Sequence, residues 1–476
     1  MKDKKTSYWF HAVISTSLYC CMFRLLELRK IIFPQLTQRA GSILYFALGV
    51  AIVISSVQAQ PIAMNSFSAQ SFTENAKSAD NFVDTIGVNV HLNYTDRVYF
   101  QQFDNLIKPN LLKLGVRYLR DGVQPDPGVN RDHFFYKRLR DLANSGIKFN
   151  LVTDTTTDYS LLDDIYSWTN RAIVSFEGIN EPDKDARISN WVAVVRAAQK
   201  KLYKTVKGNP TLSRLTVIAP SVLEGQKEIG DLSPWVDVGN LHNYFSGLNP
   251  EIDDWRGIRW KLKNVAEPLT GAKPVISTET GWANALKGPN TPQGVPEDVV
   301  GKYMPRMFLT QFNRGIARTY SYEFIDEGIN PKDPEANFGL LRNDGFPKPA
   351  YTALKNLINL FKDPGPSFKP GSLNYSVGGD TKSFQHTLLQ KRNGDFYLAF
   401  WAGKLGWNPV TKTRLSVQDK PIMLTLPKEI VSITHYNFSK NGSLDKVVLS
   451  PRKNQIRLNF NDRVTILKLS KTFSNQ

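Results

Sequence analysis

Two short stretches put a glutamate at the end of an apolar run. The first, Phe176-Glu177-Gly178-Ile179-Asn180-Glu181-Pro182, finishes on an Asn-Glu pair closed by proline. The second, Val275-Ile276-Ser277-Thr278-Glu279-Thr280-Gly281-Trp282, carries its glutamate just ahead of a glycine. Pro182 disfavours the helical region for the residue before it, which predicts an extended Glu181 at the lip of its strand. Strand alternation then puts Ile173, Ser175, Glu177, Ile179 and Glu181 on one face, with Glu177 deeper than Glu181 and in need of a partner. Arg120, at the end of an earlier strand, is the first candidate. Two carboxylates in unlike surroundings can cleave a glycosidic bond. One must keep its proton, with a pKa raised from about 4.3 toward 6 or 7, while the other stays ionised among donors.

The elements that would hold these residues repeat one theme from Asp84 onward, a short apolar or β-branched run followed by an amphipathic segment. Eight such runs occur: Thr85 to His91, Val116 to Arg120, Lys148 to Thr153, Ile173 to Glu181, Leu215 to Pro220, Val236 to Tyr244, Pro274 to Glu279 and Arg318 to Ile325. Helical spacing fills gaps at Phe100 to Leu114, Arg131 to Ser145, Ile188 to Lys207, Val299 to Arg314 and Tyr351 to Phe361, with Gly115, Gly146 and Gly315 as stops. This alternation predicts an α/β fold, a (β/α)8 barrel over residues 84–361, whose site lies at the carboxyl ends of its strands. A doubly wound open sheet is disfavoured because no glycine-rich phosphate loop follows the first strand. Glu181 and Glu279 then end strands four and seven, nearly opposite in the ring.

After Phe361 a Pro/Gly cluster leads into alternating runs, which predict an all-β sandwich over 362–476. The clearest hairpin is Thr387 to Leu398, with Asn393-Gly394 suited to a type I′ turn. The sandwich is read as a structural flank of the barrel.

At the other end, Ser42 to Ser56 is an apolar run preceded by Arg39 and followed by Val57-Gln58-Ala59. Residues 1–59 are read as a signal peptide or membrane anchor, and 60–83 as a linker. Export to the periplasm, the cell envelope or beyond is expected, with contact to a membrane only through a retained N-terminal anchor. The formal charge of +17, from 60 basic and 43 acidic residues, contains no dense basic block, so nucleic acid is not an expected partner. An acidic polysaccharide suits that balance, as does plain solubility. Cys20 and Cys21 are adjacent and precede the folded region, so no disulfide is expected. Six histidines without HxxxH or HExxH spacing argue against a metal site. Asp154, Asp158, Asp163 and Asp164 lack the glycine and terminal glutamate of a calcium loop and read as helix caps.

Asn-Glu-Pro ending strand four, His242-x-Tyr244 ending strand six and Thr-Glu-Thr-Gly ending strand seven together resemble the retaining glycoside hydrolases of clan A, family 39 in particular, including exopolysaccharide-cleaving enzymes of bacterial envelopes. The likeness closes with Phe338-Gly339-Leu340-Leu341 through Lys348-Pro349-Ala350-Tyr351. It implies Glu181 as acid/base and Glu279 as nucleophile, acting on the β-glycosidic bonds of an oligo- or polysaccharide without a cofactor. It further implies that Asn180 binds the sugar 2-hydroxyl, that Arg120 and Tyr244 orient the nucleophile, and that His242 lines the site. His91 and Trp282 are added from their positions, Trp282 as an aromatic platform. Strand eight reads Tyr320-Ser321-Tyr322-Glu323-Phe324 without the tryptophan many clan members carry, so Tyr322 is the substitute.

Taken singly, each glutamate motif also suits an ordinary strand-to-helix turn. Two other functions use the same residues: a non-catalytic carbohydrate-binding barrel, and a transglycosylase in which a sugar captures the glycosyl-enzyme.

Overall fold

All eight predicted runs become parallel strands of one sheet: Ile86–Asn89, Tyr118–Gly122, Lys148–Val152, Ile173–Glu177, Thr216–Ile218, Gly239–His242, Val275–Thr280 and Arg318–Ser321. In this computed structural model, which describes residues 69–124, 128–288, 293–451 and 454–471, the first strand pairs with both the second and the eighth. A parallel bridge from Ile218 to Val238 closes the ring between the fifth strand and the sixth. The result is the (β/α)8 barrel that the alternation predicts.

The helices form where apolar residues recur on one face. Phe134–Asn144 buries Phe135, Tyr136, Leu139 and Leu142, and Trp191–Gly208 buries Val195, Leu202 and Val206. The sequence reading missed Leu162–Trp168 and the helical stretch from Ile258 to Thr270. Asp158 accepts from the Ser160 N–H at a helical start, as capping predicts, whereas Asp163 and Asp164 sit in the first turn of the next helix without capping it and Asp154 accepts from the Thr156 N–H in a turn.

Inside the barrel the floor is apolar, built from Tyr118, Ile218, Ile276 and Tyr320. Gly87 is required there, since a Cβ would lie 2.4 Å from the Tyr320 ring. Above the floor the layer turns polar: Asn89, Arg120, Asn150, Glu177 and Asn240 are all buried. A barrel interior filled with branched apolar side chains would be the ordinary arrangement, so this polar layer marks the end where the site lies.

Residues 372–471 contribute most of two antiparallel sheets packed on Leu373, Val377, Leu398, Phe400, Ile422 and Leu424. The linker expected over 60–83 is corrected in its described part. Gln70–Asn75 pairs with Ser372–Gly379, Lys77–Ser78 lies beside Phe384–Gln390, and Ala79–Asp84 is helical. Small polar residues with no period concealed a strand whose partner lies some 300 positions away. The hairpin between Phe384–Gln390 and Phe396–Ala402 is also corrected in its turn type. Gly394 N–H donates to Lys391 O and Lys391 N–H to Asp395 O, with φ of +87° at Gly394 and no positive φ at Asn393. That is a type I turn with a glycine bulge, the usual three-residue alternative to type I′.

Arg306 joins sandwich to barrel. Fully buried, it donates to Glu251, to Asp462 O and to Lys404 O, while the Trp401 indole donates to Glu251 at 2.7 Å. Among the described residues no helix is long and apolar enough to cross a membrane. The signal or anchor reading of 1–59 falls outside the described residues.

Candidate active site

Strand ends one, two, four, six, seven and eight converge on a cleft of about 1250 Å3 at the carboxyl face of the barrel. At its base Arg120 holds five acceptor oxygens on four residues. Its Nε and Nη2 donate to the two oxygens of Glu177 at 2.9 and 2.8 Å, Nη1 to Glu279 Oε1 at 2.6 Å and to Asn89 Oδ1 at 2.9 Å, and Nη2 to Asn180 Oδ1 at 2.7 Å. Glu177, whose side chain is wholly buried, also accepts from Asn150 at 2.6 Å, Asn240 at 3.0 Å and Thr278 at 3.1 Å. The pairing predicted for Arg120 and Glu177 is therefore present, and its buried charges are satisfied as such charges must be. Burial would weaken the Arg120 charge, but Glu177 and Glu279 outweigh it and raise its pKa.

Glu279 receives its second donor from Tyr244, whose hydroxyl lies 2.7 Å from Oε2. Burial and then the Glu279 charge push the Tyr244 hydroxyl well above its ordinary 10, so it keeps its proton and donates. Both oxygens of Glu279 are thus oriented by groups from other strands.

Glu181 is reached through His242. His242 Nδ1 and Glu181 Oε1 share a hydrogen bond at 2.6 Å, and the same nitrogen lies 3.5 Å from Glu279 Oε2. An oxygen of Glu181 and an oxygen of Glu279 lie within 4.8 Å of each other. His242 Nε2 is in turn 3.1 Å from Thr278 Oγ1.

Two expectations about Glu181 are corrected. Its φ is +39°, left-handed and not extended, and its N–H donates to Ser221 Oγ at 2.9 Å. The proline rule excludes the right-handed helix but does not choose between the remaining basins. Regular alternation also stops at Glu177, so Ile179 packs outward against Val195 and Val222 while Asn180 turns in to Arg120. Gly178 allows the turn, because a Cβ there would meet Gln199 Oε1 at 2.2 Å and Pro220 N at 2.8 Å. The second correction is electrostatic. Burial pushes the Glu181 carboxyl up, but the hydrogen bond and charge of His242, with the charge of Arg120, carry it below its ordinary value instead of toward 6 or 7.

The other predicted residues divide. Asn180 has its oxygen tied to Arg120, which leaves its NH2 for the cleft. Tyr322 lines the cleft beside Tyr244 and Phe338, its hydroxyl 3.4 Å from Glu335. His91 forms part of the wall, stacked on Tyr94 at 4.5 Å, and burial holds its imidazole down at about 4. Trp282 is not brought to the cleft. Its ring stacks on Phe245 at 4.9 Å, its indole donates to Leu248 O, and it is 4% exposed, so it packs where a platform was expected.

Sequence reasoning missed Asn89, Asn150, Asn240, Thr278, Ser221 and Glu335. The first four left a signal, since each is a polar residue inside a predicted strand. Lys184 and Arg187, the basic residues on the outer cleft, are each paired with a carboxylate, Glu224 at 2.5 Å and Asp185 at 2.8 Å.

A closed parallel barrel with two carboxylates across its mouth and a β-sandwich behind it defines the class of fold. No family model and no curated sequence matches the chain. Among solved structures, the chain is similar to a family 39 glycoside hydrolase from Bacteroides cellulosilyticus WH2, with a TM-score of 0.52, 17% identity and 83% of this chain and 81% of that one covered. It is also similar to a glucosidase from Croceicoccus marinus, with a TM-score of 0.55, 9% identity and coverage of 85% and 99%. At these identities the likeness is one of fold, and that fold is the one found in glycoside hydrolases.

Proposed function

We propose that the protein is a retaining glycoside hydrolase that cleaves β-linked oligo- or polysaccharides by double displacement. The observation that carries the proposal is the approach of Glu181 and Glu279 to within 4.8 Å across the cleft. That approach is nearer to the carboxyl spacing of about 5–5.5 Å used by a nucleophile and an acid/base than to the about 6.5–9.5 Å at which an inverting enzyme places a water between its carboxyl groups.

In the first step a Glu279 oxygen, oriented by Arg120 and Tyr244, bonds to the anomeric carbon. The glycosidic C–O bond breaks and the leaving oxygen takes a proton from Glu181. His242 Nδ1 lies 2.6 Å from Glu181 Oε1 and orients that carboxyl for the transfer. In the second step Glu181 accepts a proton from water, whose oxygen attacks the anomeric carbon and releases Glu279. Asn180 offers its NH2 to the sugar, and Tyr322 and Tyr94 supply aromatic walls. Because Lys184 and Arg187 are already paired, the cleft gives no reason to restrict the substrate to acidic polymers.

A panel of aryl β-glycosides and bacterial exopolysaccharides, with products sized by mass spectrometry, tests this reading. Wild type should turn over at least one member and Glu279→Ala none. Glu181→Gln should lose about 10²- to 10⁴-fold on polysaccharide and less where the leaving group is acidic. Equal activity in all three proteins would overturn the assignment. Equal binding of a sugar by all three without turnover would make the barrel a carbohydrate-binding module instead.

A further inference from the structure

Behind the cleft wall lies a cluster the glycosidase reading does not use. His91 follows the first barrel strand, and Glu323 and Glu327 follow the eighth. His91 Nε2 stands 3.7 Å from Glu323 Oε2 and 3.8 Å from Glu327 Oε1. These separations are too long for hydrogen bonds. His91 Nε2, Glu323 Oε1 and Glu327 Oε1 are all buried without a hydrogen-bond partner, and the Glu323 side chain is wholly buried. One orphaned polar atom in an interior is costly, and three facing one another without a shared partner are harder still to account for.

The spacing has a simple source. Two donors each about 2.1 Å from one ion and roughly 120° apart are separated by about 3.6 Å. One ligand atom from each of the three residues lies within 4.8 Å of the other two. The geometry points to a divalent transition-metal site formed by His91, Glu323 and Glu327. An imidazole with two carboxylates suits Zn2+ or Mn2+ better than Ca2+, which takes six to eight oxygens. Tyr99 supports the set from outside, its hydroxyl donating to Glu323 Oε2 at 2.9 Å. The sequence argument against a metal concerned short histidine spacings, whereas here the one histidine lies more than 200 positions from the two glutamates and meets them only when the barrel closes. The ion would fasten strand ends one and eight beneath the wall of His91 and Tyr94, a structural task separate from bond cleavage.

Chelator-treated full-length protein titrated with ZnCl2, followed by calorimetry and by thermal melting, tests the site, with CaCl2 as the comparison. Wild type should bind one equivalent of Zn2+ and melt higher with it, and Ca2+ should bind more weakly. Tyr99→Phe should weaken Zn2+ binding about 10-fold. Glu327→Gln and Glu323→Gln should weaken it further, with the melting shift abolished. Both are isosteric and relieve repulsion between carboxylates, and His91→Gln serves if either fails to fold. Glu279→Gln should bind as wild type does, which separates this site from Glu181, His242 and Glu279, the other cluster among the described residues that could capture an ion. No stoichiometric binding, binding unchanged in the Glu327 and Glu323 variants, or binding lost only with Glu279 would each overturn the proposal.

Discussion

The Arg120 guanidinium ties the depth of the barrel to its mouth, joining Glu177 below to Asn180 and Glu279 above. Residues at this level act through orientation and charge. Tyr244→Phe removes a hydrogen bond to a carboxylate, a contact worth about 1.5–3 kcal/mol, so kcat/KM should fall roughly 10- to 150-fold. Most of the fall should be in kcat, which steady-state kinetics checks. His242 has a separable effect. It is the main reason Glu181 lies below its ordinary pKa despite burial, so His242→Leu leaves burial to act and moves that pKa upward. Glu181 then keeps its proton to higher pH, and the alkaline limb of the kcat/KM profile should shift to higher pH. An unmoved or lowered limb would show that His242 does not set the acid.

At the level of elements, the end of the fourth strand carries the strain. A non-glycine residue at φ +39° costs on the order of 1–2 kcal/mol, and the Ser221 contact helps to hold it there. Gly178→Ala tests how much the geometry depends on that turn. Gln199 is buried and donates to Ile218 O and Trp235 O, and Pro220 N belongs to the backbone just past the fifth strand, so neither yields freely to the new methyl. A loss of about 1–3 kcal/mol in denaturant is expected, with reduced activity because Glu181 is only three residues away. This strand end also shows how far sequence can be read. The eight runs, the placement of Glu181 and Glu279 at strand ends on one side of the barrel, and the partnership of Arg120 with Glu177 follow from local pattern and from the need to pair a buried charge, whereas Asn180 entered only through the family resemblance. The φ of Glu181, the retreat of Trp282 behind Phe245 and the helical stretch over 258–270 depend on what packs alongside, which no local pattern carries.

For the whole molecule, the barrel and the sandwich share a buried polar link in Arg306, Glu251 and Trp401. Arg306→Met would leave Glu251, 7% exposed, without its cation. Breaking a buried pair from one side costs about 3–5 kcal/mol, so the denaturation midpoint should drop markedly. A drop no larger than that of a surface variant would mean the link is dispensable. The strand at 70–75 was illegible for the same long-range reason as the His91 cluster, because its meaning appears only once the sandwich exists to receive it. The account as a whole rests on the distance between two carboxylates and what it permits at the anomeric carbon. Proton NMR of the first product released from a β-linked substrate of the panel measures that directly. Retention, seen as the β-anomer appearing before mutarotation, is the predicted result, and initial appearance of the α-anomer would contradict it.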